Sequence, residues 1–243
     1  MREDILGAVS FLTIFGRGHE PTNSSRYWFS FSGVLVGFIS GSVWWLLRKV
    51  HLPLVDAAIV VLVILVVTGA IHIDGLADAS DGLLAHLPRH RRFEVMSGPE
   101  VGAFGVTAVV MTLIIMTASL STISPDPLLL VGLMGLSRAL CALAIELFPY
   151  AKAEGIVSSF NESSHRGAGS VGVLAAEAVV CTALVVASMP FRGAALAVTV
   201  LGVQAIILWR SGKLLGGYTG DVLGASIVVS ETLALVVGAL VQR

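Results

Sequence analysis

Seven apolar stretches, at roughly 29–47, 54–73, 103–123, 128–148, 171–189, 191–209 and 223–241, leave this 243-residue chain few ways to fold. Each is close to the ~20 residues an α-helix needs to cross a bilayer. Composition agrees with that reading. The chain is 56% hydrophobic and only 13% charged, with a mean hydropathy of +0.90, where soluble domains carry about a quarter charged residues. The expectation is an all-α integral membrane protein, a bundle of about seven transmembrane helices in one domain over residues 1–243. The apolar run 5–15 is too short to span and leads into Gly16, Arg17, Gly18 and Pro21, so a short N-terminal re-entrant or interfacial helix is expected there. Met189-Pro190-Phe191-Arg192 must then be a very tight turn between spans.

Basic residues orient such a bundle. With seven spans, the N-terminus and the segments near 74–102, 149–170 and 210–222 share one side. They carry Arg2, Arg17, Arg26, Arg89, Arg91, Arg92, Lys152, Arg166, Arg210 and Lys213, ten of the 15 lysines and arginines. Arg48, Lys49, Arg192 and Arg243 fall on the other side, and Arg138 lies inside a span. The excess of positive charge predicts that the first side is cytoplasmic. A net charge of −1 argues against a nucleic-acid partner. Cys141 and Cys181 sit in apolar runs and read as small buried hydrophobes.

Just after the second apolar stretch comes Ile71-His-Ile-Asp-Gly-Leu-Ala-Asp-Ala-Ser-Asp-Gly-Leu83. On a helix, Asp74, Asp78 and Asp81 stand at i, i+4 and i+7, on one narrow face. Three like charges beside a membrane repel one another unless a cation joins them. Oxygen-only ligands suit a hard divalent ion, Mg²⁺ first. The same residues allow two plainer readings, helix caps with solvated neighbours or the carboxylate relay of an ion-coupled secondary transporter. His72 and His86 flank the cluster without zinc-ligand spacing.

Other polar residues are expected at the same side. Arg89, Arg91 and Arg92 suit anionic lipid and substrate equally well, and Gly98, Gly102 and Gly105 allow close approach of backbone to a ligand or helix. Arg138, in the middle of an apolar span, either pairs with Glu146 or, as the preferred reading, presents its planar fork to phosphate. Lys152 and Glu154 lie in the loop that follows. Lys213-Leu-Leu-Gly-Gly-Tyr-Thr-Gly-Asp221 lacks the Lys-Ser/Thr ending of a P-loop, but Gly217, Thr219 and Gly220 can form a backbone anion nest opening into a helix. Asp221 is then a helix cap or a metal ligand. Glu231, a costly charge within a span, calls for a polar partner.

Taken together, these motifs resemble the cobalamin synthase family, the adenosylcobinamide-GDP ribazoletransferases. The resemblance rests on Phe11-Leu-Thr13, His72–Leu83, Val101-Gly-Ala-Phe-Gly105, Ser137-Arg138, Tyr150-Ala-Lys-Ala-Glu-Gly155, Gly216–Ala225 and Glu231, in order over almost the whole chain. Two places depart from the family pattern. Met96 is followed by Ser97-Gly-Pro-Glu100 where a basic residue, an Asp and an Arg are usual, and Val228 stands where a Glu is common.

The resemblance implies transfer at a prokaryotic cytoplasmic (inner) membrane. A ribose hydroxyl of α-ribazole or its 5′-phosphate attacks the phosphorus next to the aminopropanol arm of adenosylcobinamide-GDP, and GMP leaves. It implies Mg²⁺ held by Asp74, Asp78 and Asp81, a catalytic group comprising these and Asp221, and phosphate contacts from Arg138 and Lys152. Glu154, Gly217, Thr219 and Gly220 join the expected substrate site. Whether the chain forms a homo-oligomer or associates with other cobamide-assembly enzymes stays open. A CDP-alcohol phosphotransferase fits less well, since no Asp follows Asp81 until Asp126.

Overall fold

A computed structural model describes residues 1–16, 18–152, 168–190 and 192–241. The described residues form ten α-helices: α1 Arg2–Leu12, α2 Phe29–Leu47, α3 Pro53–Val67, α4 Ile71–Leu84, α5 Arg89–Met96, α6 Ala103–Thr122, α7 Pro127–Leu147, α8 Ala168–Ser188, α9 Gly193–Leu215 and α10 Gly220–Val241. A 3₁₀ segment, Asn23–Trp28, leads into α2. Among the described residues α2 with its 3₁₀ lead, α6, α7, α8, α9 and α10 are each long and apolar enough to cross a membrane. The protein is therefore a multi-pass membrane protein.

Two helices form the interior. Buried residues dominate α7 and α10, whereas α6 and α8 leave most of their surface outward. In lipid there is no hydrophobic gain in packing apolar helices together, so close backbone contact must supply the attraction. The chain provides it with a glycine stripe on α2. A methyl group on Gly33, Gly37 or Gly41 would stand 2.2, 2.4 or 2.8 Å from α7 backbone atoms at Met134, Leu130 and Pro127. The four-residue spacing of these glycines sets α2 against α7 along three turns.

The expected span at 54–73 is corrected by the structure. It breaks after Val67, and α3 and α4 meet at 89°. The cause is local: Thr68 Oγ1 donates to Ile64 O at 2.8 Å, while Gly69 and Ala70 both take left-handed backbone angles. Such a break exposes carbonyls that lipid cannot satisfy. The N-terminal segment covers one of them, since Ile14 N–H donates to Val67 O at 2.9 Å. That segment begins as α1, too short to cross, and holds to the bundle through stacked Phe11 and Phe29 rings 5.8 Å apart. At the tight turn, Gly193 N–H donates to Met189 O at 2.7 Å, and α8 and α9 are separate helices.

Candidate active site

The acidic helix α4 starts at the break and is clamped at its far end by arginines. Arg92, buried, donates to Gly82 O at 2.5 Å, and Arg210 Nη2 donates to Leu83 O at 3.2 Å. These are the free carbonyls of a helix C-terminus, where cations are favourable. Of the other two basic residues in the loop, Arg91 pairs with Glu94 at 2.6 Å on the surface. Arg89 is exposed and lies over the Gly216 turn, where a methyl group would meet its Nη2 at 2.8 Å. The three arginines that sequence could not separate thus have three different surroundings.

The three aspartates also diverge. Asp81 is 6% exposed and accepts from Gly102 N–H at 2.7 Å and Gly105 N–H at 2.9 Å. It caps the start of α6 from another helix, which explains the glycines: a methyl at Gly102 or Gly105 would come within 2.6 or 2.5 Å of its oxygens. With each oxygen accepting from a backbone amide, Asp81 anchors the start of α6. Asp78 is half-buried and Asp74 exposed.

Asp221 comes to the same place from the other end of the chain. Gly75 is the contact point, because a methyl there would sit 2.9 Å from Asp221 O. The choice between cap and free carboxylate at Asp221 is decided by Thr219. Its Oγ1 accepts from Val222 N–H at 3.2 Å, which makes Thr219 the cap of α10. Thr219 Oγ1 also lies 3.2 Å from Asp221 Oδ2.

A short parallel bridge holds the last component. Tyr218 N–H donates to Pro149 O at 3.0 Å and Ala151 N–H to Tyr218 O at 2.8 Å. Only glycine fits beside it, since a methyl at Gly217 would be 2.2 Å from Pro149 O. The bridge places Lys152 Nζ 3.4 Å from Asp221 Oδ2, with both side chains 26% exposed. Asp78 therefore feels the negative charges of Asp221, Asp74 and Asp81 against the single ammonium of Lys152. Beside them, burial and then the Asp221 carboxylate raise the Tyr150 phenol above its ordinary pKa.

Asp74, Asp78, Asp221 and Lys152 are thus brought together, with Gly220 at the first turn of α10. Gly217 and Thr219 build this corner but are buried, so they shape it from behind and correct the expectation that they contact substrate. Glu154 lies outside the described residues. Arg138 is a further correction: it is 1% exposed, and its guanidinium pairs with Glu231 and donates to Ser137 Oγ at 3.0 Å. Ser137 Oγ donates to Glu231 at 2.6 Å, and Gln204 Nε2 donates to Ser137 O at 2.9 Å, so α7, α9 and α10 are joined here. Glu146, the other partner considered for Arg138, instead lies 2.6 Å from Arg26 Nε. Neither pairing is visible in sequence, because each partner comes from a distant helix.

The donor set is compatible with a hard cation, with one restriction. Three oxygen-bearing side chains face one ammonium, which leaves an excess of negative charge. Yet among the described residues no three His, Cys, Asp or Glu side chains converge closely enough to enclose an ion by themselves. That suits Mg²⁺, which keeps waters and is commonly held by one or two carboxylates plus substrate phosphates.

The chain is similar to known proteins over most of its length. A family model described as cobalamin-5-phosphate synthase matches residues 4–239. An adenosylcobinamide-GDP ribazoletransferase of Desulfitobacterium hafniense (strain Y51) is 34% identical over 89% of this chain and 85% of its own length. Proteins of the same name from Alkaliphilus oremlandii (strain OhILAs) and Prosthecochloris aestuarii (strain DSM 271 / SK 413) are 33% and 29% identical. The first match covers 83% of this chain and 79% of the relative, and the second 96% of each. No solved structure matches the chain.

Proposed function

The chain belongs to the cobalamin-5-phosphate synthase family, and from that premise we propose that it joins adenosylcobinamide-GDP to α-ribazole or its 5′-phosphate. A ribose hydroxyl of the acceptor forms a bond to the phosphorus nearest the cobinamide arm. The P–O–P bridge breaks, and GMP departs with the bridging oxygen. The observation that carries the reading is the meeting of Asp74 and Asp78 with Lys152 and Asp221, from three segments well separated in sequence.

Each group has a task in that transfer. Asp78, half-buried among the neighbouring carboxylates, takes the proton of the attacking hydroxyl. Asp74 and Asp221 are the carboxylates that would hold Mg²⁺ together with substrate phosphate, with Asp78 beside them. When bound, the ion would neutralise charge on the bridging oxygens. Lys152 meets a phosphate oxygen from the Asp221 side. Arg89, over the Gly216 turn, takes the phosphate role first expected of Arg138, with the bidentate fork suited to it. The site faces the cytoplasm of a prokaryotic inner membrane in this reading, supported by the ten basic residues on that side.

The test is direct. The protein in liposomes is given adenosylcobinamide-GDP and acceptor, and GMP release is followed with Mg²⁺, with chelator, and for Asp78→Asn. Release that needs Mg²⁺ and the Asp78 carboxylate is the expected result. Turnover undiminished in chelator rules out the metal, and no product from folded protein with either acceptor rules out the reaction.

A further inference from the structure

Away from the acidic site, a groove of about 620 Å³ opens sideways between α2 and α8. Tyr27, Trp28, Phe31, Val34, Val180 and Leu184 are among the residues that line it. In this apolar setting stands one carboxylate, the half-buried Glu177, which accepts from Ser30 Oγ at 2.7 Å. Glu177 takes part in no ion pair among the described residues. A half-buried carboxylate on an apolar wall calls for a cationic or hydrogen-bonding partner.

The level of Glu177 indicates which partner. Ser30 is the second residue of α2, two residues in from Trp28, and indole rings favour the headgroup layer. The hydrogen bond sets Glu177 at that same height. From Glu177 to Leu184 the groove continues about 10 Å along α8, at 1.5 Å per residue, with apolar walls. An occupant therefore needs a cationic hydrogen-bond donor at headgroup depth joined to a hydrocarbon tail. We infer that the α2–α8 groove binds a phospholipid with a primary ammonium headgroup, such as phosphatidylethanolamine, with the ammonium on Glu177 and an acyl chain along Val34, Val180 and Leu184. A choline headgroup carries the same charge but has no N–H to donate. A glycerol headgroup offers donors without a cation, which leaves its phosphate charge uncompensated beside Glu177.

Native mass spectrometry of the full chain, released from nanodiscs with equal amounts of phosphatidylethanolamine, phosphatidylcholine and phosphatidylglycerol, tests this. Loss of one charge-assisted hydrogen bond predicts roughly tenfold weaker retention of phosphatidylcholine than of phosphatidylethanolamine. On the unmutated protein, retention should fall stepwise as the headgroup nitrogen is methylated. Glu177→Gln should remove most of the preference, and Ala176→Phe, on the exposed groove wall, should lower retention of all three lipids. Equal retention of the three, a preference for phosphatidylglycerol, a preference unchanged by Glu177→Gln, or a dimer that keeps no lipid would each overturn the assignment.

Discussion

Two sets of charges lie in the same bundle and are handled in opposite ways. Arg138 with Glu231, and Arg26 with Glu146, are balanced one for one and are 1–2% exposed. Around Asp78, three carboxylates face one ammonium, and Asp221 and Lys152 keep a quarter of their surface open. A buried charge with an equal partner completes a fold, whereas an open site with excess charge is incomplete until something binds. Sequence marks all of these residues as expensive, but only the pairing separates the two uses.

The contrast can be broken in order of effect. Removing charge from the open set should abolish turnover and spare the fold. For Asp78→Asn, loss of a general base predicts a fall in kcat of roughly 10²–10⁴-fold, with an unfolding midpoint equal to or above that of the parent. Removing charge from a closed pair should do the reverse. Glu231→Gln leaves Arg138 buried and uncompensated at a cost of about 3–5 kcal/mol, read from thermal unfolding in detergent. The double change Arg138→Met with Glu231→Leu should recover most of that loss. If it does not, the pair contributes more than mutual neutralisation.

Asp81 sharpens the comparison, because it belongs to the acidic motif but is used as a cap. Asp81→Ala strands two amides of α6, each costing about 1–3 kcal/mol, so destabilisation should accompany any loss of turnover. Asp74→Asn, two helical turns away, should lose turnover at constant stability. The smallest effect is expected at Cys181, a buried thiol against Gly135. Cys181→Ala should change stability by about 1 kcal/mol and leave GMP release almost unchanged.

The helices were legible because bilayer thickness imposes a length and a composition that can be read residue by residue. The break in the second apolar run was not. Thr68, Gly69 and Ala70 continue a hydrophobic stretch, and only the backbone angles and the Ile14 contact turn the chain there. The acidic face of α4 was likewise readable from spacing. Division of labour among its aspartates was not, since the amides that occupy Asp81 come from residues 102 and 105. At Asp221, the capping alternative fell away only when Thr219 was seen to fill that role.

By itself, the sequence determined that this is a helical membrane protein with carboxylates and basic residues gathered at one end. Hydrophobic runs and motif spacing are local properties, and local physics is sufficient to read them. Tertiary structure alone decided which charges are neutralised inside and which stay open and in excess. Pairing energy depends on distance and burial, and both are set by helices that meet in space after long separations along the chain.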